Sequence, residues 1–221
     1  MTELVAKIAE VPVKITTEYP EIKSFFKEYL SDEPPFFAVK ADSEDIQSEI
    51  IAIHELISEK MPAYDAFLFH ASAISCKGDG ILFAAVSGTG KSTHAGYWSE
   101  QIEGVSYIND DKPFIRIRDG KAYVYGSPWM GKHVKGANSS AEIKALCVLE
   151  RDGNTSVSKV DSMDVYPLIL QQTYRPKDRK MLEKTLSLLD TMLKASQCFL
   201  LRCANDPKAA IIARNGIYEI K

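Results

Sequence analysis

The chain has 221 residues, of which 45% are apolar and 26% are charged, and its formal net charge is -3 at pH 7. This length and composition predict a folded protein with a sizeable core, built as one domain or as one domain with a small addition. The small negative charge gives no reason to expect nucleic acid or an anionic membrane as a partner. Since no apolar run has the length of a bilayer-spanning helix, a membrane partner is not expected either.

The N-terminus and the cysteines predict a cytoplasmic protein. Residues 1–7 include an early acid, Glu3, and no long apolar core, so a secretory signal is not expected. The four cysteines form no CxxC pair and no metal-ligand spacing with histidine. Most of them lie among apolar neighbours, which is typical of small buried residues in a reducing compartment.

Residues 1–62 are predicted to form a small N-terminal α+β unit. Its expected elements are a strand, a helix, a second strand and a second helix, at residues 11–15, 21–30, 36–39 and 46–57. Ser43 is expected to cap the second helix, because serine accepts hydrogen bonds from free N–H groups at a helix start. Pro62 is expected to end the unit.

Residues 63–221 are predicted to form a second unit that is dense in strands. A Gly-Asp-Gly turn at 78–80 predicts an antiparallel hairpin between segments 67–74 and 81–86, and Asp119-Gly120 predicts another hairpin. Further elements are predicted as strands at 145–149 and 198–201 and as helices that include 182–193 and begin at 206–207. The expected fold is therefore α/β with α+β character, around a mixed sheet rich in antiparallel pairs.

The most informative stretch of the chain is Ser87-Gly88-Thr89-Gly90-Lys91-Ser92-Thr93, which follows an apolar run and precedes a potential helix. A strand, a glycine-rich turn and Lys-Ser at a helix start are typical of a phosphate-binding loop. Backbone N–H groups then surround a phosphate, Lys91 reaches the outer phosphates, and the Ser92 hydroxyl holds Mg²⁺. The match is incomplete, because Ala85 stands where the usual pattern has glycine. A plain glycine turn is the alternative.

Two adjacent acids, Asp110 and Asp111, follow an apolar strand downstream of this loop. One carboxylate can bind Mg²⁺ and the other can accept a proton from an attacking hydroxyl group. A turn with two structural acids is the alternative, and it would be favoured without the loop upstream. His70 lies on the strand expected to pair with the strand that feeds the loop, although a histidine among apolar residues is more often a core residue.

Three segments together resemble the C-terminal catalytic domain of HPr kinase/phosphorylase, whose fold is shared with phosphoenolpyruvate carboxykinase. They are Phe69-His70-Ala71, Ser87–Ser92 and Asn109-Asp110-Asp111, and the likeness covers about residues 65 to 215. Residues 125–132 are also similar to a motif of small HPr-kinase-related proteins. The resemblance implies His70 as the active-site histidine, Asp110 as a metal ligand and Asp111 as the catalytic base, with the roles of the two acids open to exchange.

These observations predict a kinase that uses ATP and Mg²⁺ to phosphorylate a hydroxyl group, of serine above all, on a peptide, protein or small molecule. Lys132 and Arg175 are candidates for contacts with the phosphate or the acceptor, with solvated surface charges as an equal alternative. Other interpretations are a nucleotide-binding regulator without phosphotransfer and a small carboxykinase-like lyase. The acceptor, a dephosphorylating activity and a homo-oligomeric state stay open. A flexible flap is predicted at Gly131–Asn138.

Overall fold

The computed structural model describes residues 1–132 and 134–219. Its strands are β1 (Thr2–Ile8), β2 (Val11–Thr17), β3 (Phe37–Lys40), β4 (Ala66–Leu68), β5 (Ser72–Cys76), β6 (Asp79–Ala84), β7 (Ser106–Asn109), β8 (Phe114–Arg118), β9 (Lys121–Tyr125), β10 (Ser140–Arg151), β11 (Ser156–Lys159) and β12 (Gln197–Cys203). Its α-helices are α1 (Ile22–Phe25), α2 (Ile46–Lys60), α3 (Lys91–Gln101), α4 (Ser162–Gln172), α5 (Arg179–Ala195) and α6 (Lys208–Glu219), with short 3₁₀ turns at Lys27–Tyr29 and Met61–Tyr64. Among the described residues, no helix is both long and apolar enough to cross a membrane.

A nine-stranded mixed sheet forms the centre of the fold. Its main path runs β4-β8-β9-β10-β6-β5-β7, and β12 pairs with β10 and carries β11. Among the described pairings of this sheet, those of β10 with β6 and with β12 are parallel, and the others are antiparallel. The predicted mixed α/β fold with an antiparallel-rich sheet is thus confirmed. The hairpin between β5 and β6 is also confirmed, with Cys76 opposite Asp79.

The N-terminal residues form a separate three-stranded sheet in the order β1-β2-β3. Its first hairpin turns through Ala9 and Glu10, which both have positive φ values. A two-residue turn of this kind matches the right-handed twist of the two strands that it joins. The core beneath this sheet also contains Ala66, Phe114 and Trp129 from beyond residue 62. The division at 62/63 remains a prediction, and the hydrophobic packing runs across it.

Two predicted elements of the N-terminal region are wrong in detail. The helix expected over 21–30 is the four-residue α1 followed by a 3₁₀ turn, because Phe26 leaves the helical conformation (φ -93°, ψ 8°) and buries its ring. The cap of α2 is Asp45, whose carboxylate accepts from the N–H groups of Gln47 and Ser48, and not Ser43.

The strand predicted over 67–74 is two strands, β4 and β5, with His70 in the break between them. The chain changes its partners here: Phe69 forms an isolated bridge with Thr173, and the His70 N–H donates to the carbonyl of Gln172 at 2.9 Å. His70 therefore precedes the strand that pairs with β6 and is not part of it. The break leaves its ring free to face the neighbouring acids.

Candidate functional site

The candidate phosphate-binding loop, residues 85–90, joins the end of β6 to the start of α3. Gly88 and Gly90 have φ values of 82° and 113°, a region that glycine enters without strain. The Thr89 N–H closes a turn on the carbonyl of Val86 at 3.2 Å. The N–H groups in the first turn of α3 have no carbonyl partners within the helix, and together with the helix dipole they favour an anion at this position.

Lys91, the first residue of α3, folds its side chain back over this loop. Its ammonium group donates to the carbonyl of Ala85 at 3.1 Å and is about half-buried. Burial lowers the pKa of Lys91, and the nearby charge of Asp111 opposes that shift. Lys91 and Asp111 are therefore close enough for their charges to interact across the site.

Asn109, the last residue of β7, shapes the turn that carries the two acids. Its side-chain oxygen accepts from the N–H groups of Asp111 and Lys112 at 2.9 and 2.6 Å. Its amide nitrogen donates to the carbonyls of Ser127 and Trp129 at 3.1 and 3.2 Å. Because Asn109 is fully buried, this network sets the directions in which the acids point.

Asp110 is 5% exposed and has one carboxylate oxygen without a protein partner. Oδ1 accepts from the N–H of Gly131 at 2.6 Å, and the backbone carbonyl accepts from the Ser72 hydroxyl at 2.9 Å. Oδ2 is buried and has no hydrogen-bond partner among the described residues. A buried carboxylate oxygen is normally satisfied, so Oδ2 is free to bind a ligand such as a cation.

Asp111 pairs with His70. The distance from His70 Nε2 to Asp111 Oδ1 is 3.1 Å, and the N–H of Ala71 donates to the carbonyl of Asp111 at 3.2 Å. The hydrogen bond from His70 lowers the pKa of Asp111 although burial opposes it, and the charges of Lys112 and Lys91 lower it further. Asp111 is consequently ionised at neutral pH and able to accept a proton.

The two candidate acceptor contacts follow segments that are bonded to this cluster, but their side chains are exposed to solvent. Lys132 follows Gly131, whose N–H donates to Asp110 Oδ1, and Arg175 lies two residues after Thr173, which is bridged to Phe69. Both side chains are exposed, and within the described residues neither forms a hydrogen bond with the acids. His133, in the predicted flap, lies outside the described residues. The structure therefore brings together His70, Lys91, Asp110 and Asp111, and leaves Lys132 and Arg175 at the margin.

From the sequence, Asn109 and Arg151 had no expected role, and Gly131 was expected only to give flexibility at one end of the flap. Asn109 carries a usable signal, since asparagine before two acids at a strand end is typical of a side chain that closes a turn. Nothing in the sequence indicates that Gly131 lies against an acid, although a Cβ at this residue would meet Asp110 Oδ2 at 3.1 Å. Arg151, at the end of β10, donates to the carbonyls of Gly88 and Thr89, a contact that only the fold creates.

A cavity of about 530 Å³ opens beside the loop, within the size range of small-molecule sites. It is lined by residues that include Thr89, Gly90, Thr93, Tyr97 and Asn205. A larger cavity of about 650 Å³ lies on the N-terminal sheet, away from the acids. We associate the smaller cavity with the site, because it alone of the two includes residues of the loop.

Within residues 1–132 and 134–219, no three His, Cys, Asp or Glu side chains are grouped as a metal cluster. A cation at Asp110 would thus have few protein ligands. This suits Mg²⁺, which is commonly held by one or two protein oxygens together with phosphate oxygens and water. The orphaned Oδ2 of Asp110 and the hydroxyl of Ser92 are oxygen donors of the required type.

Comparison with known proteins gives likenesses among solved structures and none among family models or curated sequences. No protein-family model matches the chain, and no curated protein matches its sequence. Among solved structures, the Hpr(Ser) kinase/phosphatase from Coxiella burnetii aligns with 69% of this chain and 97% of its own, at 11% identity and a TM-score of 0.43.

Proposed function

We propose that this protein is a nucleotide-dependent phosphotransferase that moves the γ-phosphoryl group of ATP to a hydroxyl group in the presence of Mg²⁺. The observation that carries the proposal is the pair of adjacent acids in two different environments beside a lysine-bearing loop. Asp110 is buried with an unsatisfied oxygen, whereas Asp111 is ionised and held by His70. Different environments for two neighbouring carboxylates are typical of two different roles.

In this proposal the nucleotide phosphates lie over Ser87–Thr93. The free N–H groups at the start of α3 contact the phosphate oxygens, and the Lys91 ammonium exchanges the carbonyl of Ala85 for the outer phosphates. Asp110 and Ser92 would hold Mg²⁺, which would supply neutralisation of the phosphate charge. The cavity beside Thr89 and Tyr97 has room for the rest of the nucleotide.

Transfer requires one bond to form and one to break at the γ-phosphorus atom. The acceptor oxygen attacks this atom as the bond to the β–γ bridging oxygen breaks, and ADP leaves. The acceptor proton passes to Asp111, whose lowered pKa keeps it ionised before the reaction. His70 holds the Asp111 carboxylate in position, and Lys91 stabilises the charge that develops on the transferred group.

The acceptor approaches from the side of Asp111, between the segments that carry Lys132 and Arg175. Either cation can swing from solvent to the acceptor or the transferred phosphate. Serine hydroxyls of peptides or proteins, and small hydroxyl compounds, fit an open site of this kind. A cytoplasmic location is part of the proposal, since all four cysteines are unpaired thiols.

Nucleotide binding is tested by calorimetry with Mg-ATP. We expect Lys91→Ala to weaken binding by roughly 10- to 100-fold, since a charge-assisted contact is worth about 1.5–3 kcal/mol. Lys180→Ala, at an exposed position on α5, is the matched control and should bind as the wild type does. Equal affinities in all three proteins would contradict the placement of the phosphates.

A further inference from the structure

Arg151 contacts the backbone of the candidate phosphate loop and lines the cavity beside it. It ends β10, the central strand that lies parallel to β6. Its Nε donates to the carbonyl of Thr89 at 3.0 Å, and one terminal nitrogen donates to the carbonyl of Gly88 at 2.7 Å. Two consecutive carbonyls are therefore held by one planar guanidinium group, a geometry that lysine cannot reproduce.

The direction of these carbonyls determines the direction of the N–H groups that follow them. In a trans peptide the C=O of one residue and the N–H of the next point to opposite sides. With the carbonyls of Gly88 and Thr89 turned toward Arg151, the N–H groups of Thr89 and Gly90 are turned away from it. The Thr89 N–H is already donated to the carbonyl of Val86, so the Gly90 N–H is the one that this arrangement presents to a ligand.

The loop has little else to hold this arrangement. Gly88 and Gly90 allow many backbone conformations, and nothing lies within 4 Å of where a Cβ would stand at either residue. Ordering such a segment has a cost in conformational entropy. A contact that fixes two peptide groups beforehand lowers the part of this cost that falls on ligand binding.

We infer that Arg151 is a positioning residue, which presets the loop between β6 and α3 for binding nucleotide phosphates. It acts through the peptide groups of residues 88–90, and its side chain also lines the cavity beside the loop. Its positive charge polarises these peptide groups, which strengthens their N–H groups as donors. This inference rests on the proposed function, which supplies the ligand, whereas the contact of Arg151 with the loop is a property of the free protein.

Arg202 provides a matched control. It is exposed and lies opposite Glu150 on the neighbouring strand β12, with its Nε 3.2 Å from a carboxylate oxygen of that residue. It has the same side chain at the same edge of the sheet and makes no contact with the loop among the described hydrogen bonds. Arg202→Ala therefore removes an equivalent exposed charge and leaves the loop untouched.

The experiment combines hydrogen exchange over residues 86–93 in the free protein with calorimetry of Mg-ATP. It compares the wild type with Arg151→Ala, Arg151→Lys and Arg202→Ala, and thermal unfolding verifies that each variant is folded. We expect Arg151→Ala to exchange faster in this segment and to bind Mg-ATP about 10-fold more weakly, as for a lost charged hydrogen bond. Arg151→Lys should have an exchange rate and an affinity between those of the wild type and Arg151→Ala, and Arg202→Ala should match the wild type in both.

Each other outcome counts against the inference. Unchanged exchange and affinity in Arg151→Ala would overturn it, and so would faster exchange with unchanged affinity. Weaker binding with unchanged exchange would make Arg151 a direct ligand contact. Absence of Mg-ATP binding by the wild type would overturn the proposed function and the role of Arg151 in it. The exchange data would still show whether Arg151 orders the loop.

Discussion

Gly131→Ala tests whether the position of Asp110 matters for activity. A Cβ at residue 131 would stand 3.1 Å from Asp110 Oδ2, 3.2 Å from its Cγ and 3.3 Å from the Cβ of Asp111. Ordinary contacts of this kind begin near 3.4 Å, so the acids or the segment after Trp129 must move by a few tenths of an ångström. The backbone at Gly131 lies outside the left-handed region, so alanine adds no conformational strain.

The expected effects on activity and on stability are similar in size. Overpacking costs about 1–3 kcal/mol, and the lower entropy of the unfolded alanine chain returns about 0.4–1 kcal/mol, which leaves a net loss of about 1–2 kcal/mol. Displacement within a catalytic cluster costs up to about 100-fold in rate per ångström. We therefore expect turnover to fall by roughly 10-fold and the Mg²⁺ concentration for half-maximal rate to rise.

The assay measures steady-state turnover of ATP over a series of Mg²⁺ concentrations, with urea unfolding as the measure of stability. Gly153→Ala is the matched control, because nothing lies within 4 Å of its new Cβ and its backbone is also outside the left-handed region. It should leave turnover unchanged. If Gly131→Ala keeps turnover and Mg²⁺ dependence within twofold of the wild type, Asp110 is not where the reaction needs it.

Two further predictions concern titration. His70→Ala removes the hydrogen bond that lowers the pKa of Asp111 and leaves the opposing effect of burial, so that pKa should rise; a carboxyl ¹³C titration that finds it unchanged or lower contradicts the pairing. Burial lowers the pKa of His54 to about 3 and of His94 to about 4, from 6.5. In this pH range the two histidines bind protons in the unfolded chain but stay neutral in the folded protein. The free energy of unfolding should therefore fall as pH drops below 6.5, by about 2 kcal/mol for each histidine between pH 7 and 5. Urea unfolding at both pH values measures this loss, and His54→Phe should remove about half of it; an equal loss in that variant contradicts the assignment.

The elements that the sequence predicted well are those fixed by local chemistry. The Asp119-Gly120 turn, the hairpin between β5 and β6, and the helix that starts at Lys91 each follow from turn residues or from a strong apolar pattern. Local signals failed where tertiary packing decided the outcome. The predicted helix at 21–30 ends after one turn because Phe25 and Phe26 pack on Trp129, with ring centroids 6.0 and 5.6 Å apart.

Helix α4 was not predicted, because Pro167 lies inside it. A proline within an apolar segment is ordinarily a sign that a helix ends, since it removes a backbone donor. Here Val165 and Ile169 are buried in the main core, and this burial offsets the lost hydrogen bond.

The candidate site could be found from sequence only as far as its chemical groups. Lys91, Asp110, Asp111 and His70 are recognisable by residue type and by the elements around them. Their mutual geometry depends on the strand break at His70 and on the turn held by Asn109, which arise from long-range pairing. The hydrogen bonds from Arg151 to a loop more than sixty positions away also arise from long-range pairing.

The proposed phosphotransferase activity is tested by transfer of labelled phosphate from γ-labelled Mg-ATP, with serine, serine-containing peptides, HPr protein and water supplied as acceptors. We expect the wild type to transfer phosphate to at least one hydroxyl acceptor, and Asp111→Asn to lose about 10²–10⁴-fold in rate with nucleotide affinity unchanged. A wild type that binds Mg-ATP yet labels none of these acceptors, or an Asp111→Asn variant that transfers phosphate at the full rate, would refute the proposed activity.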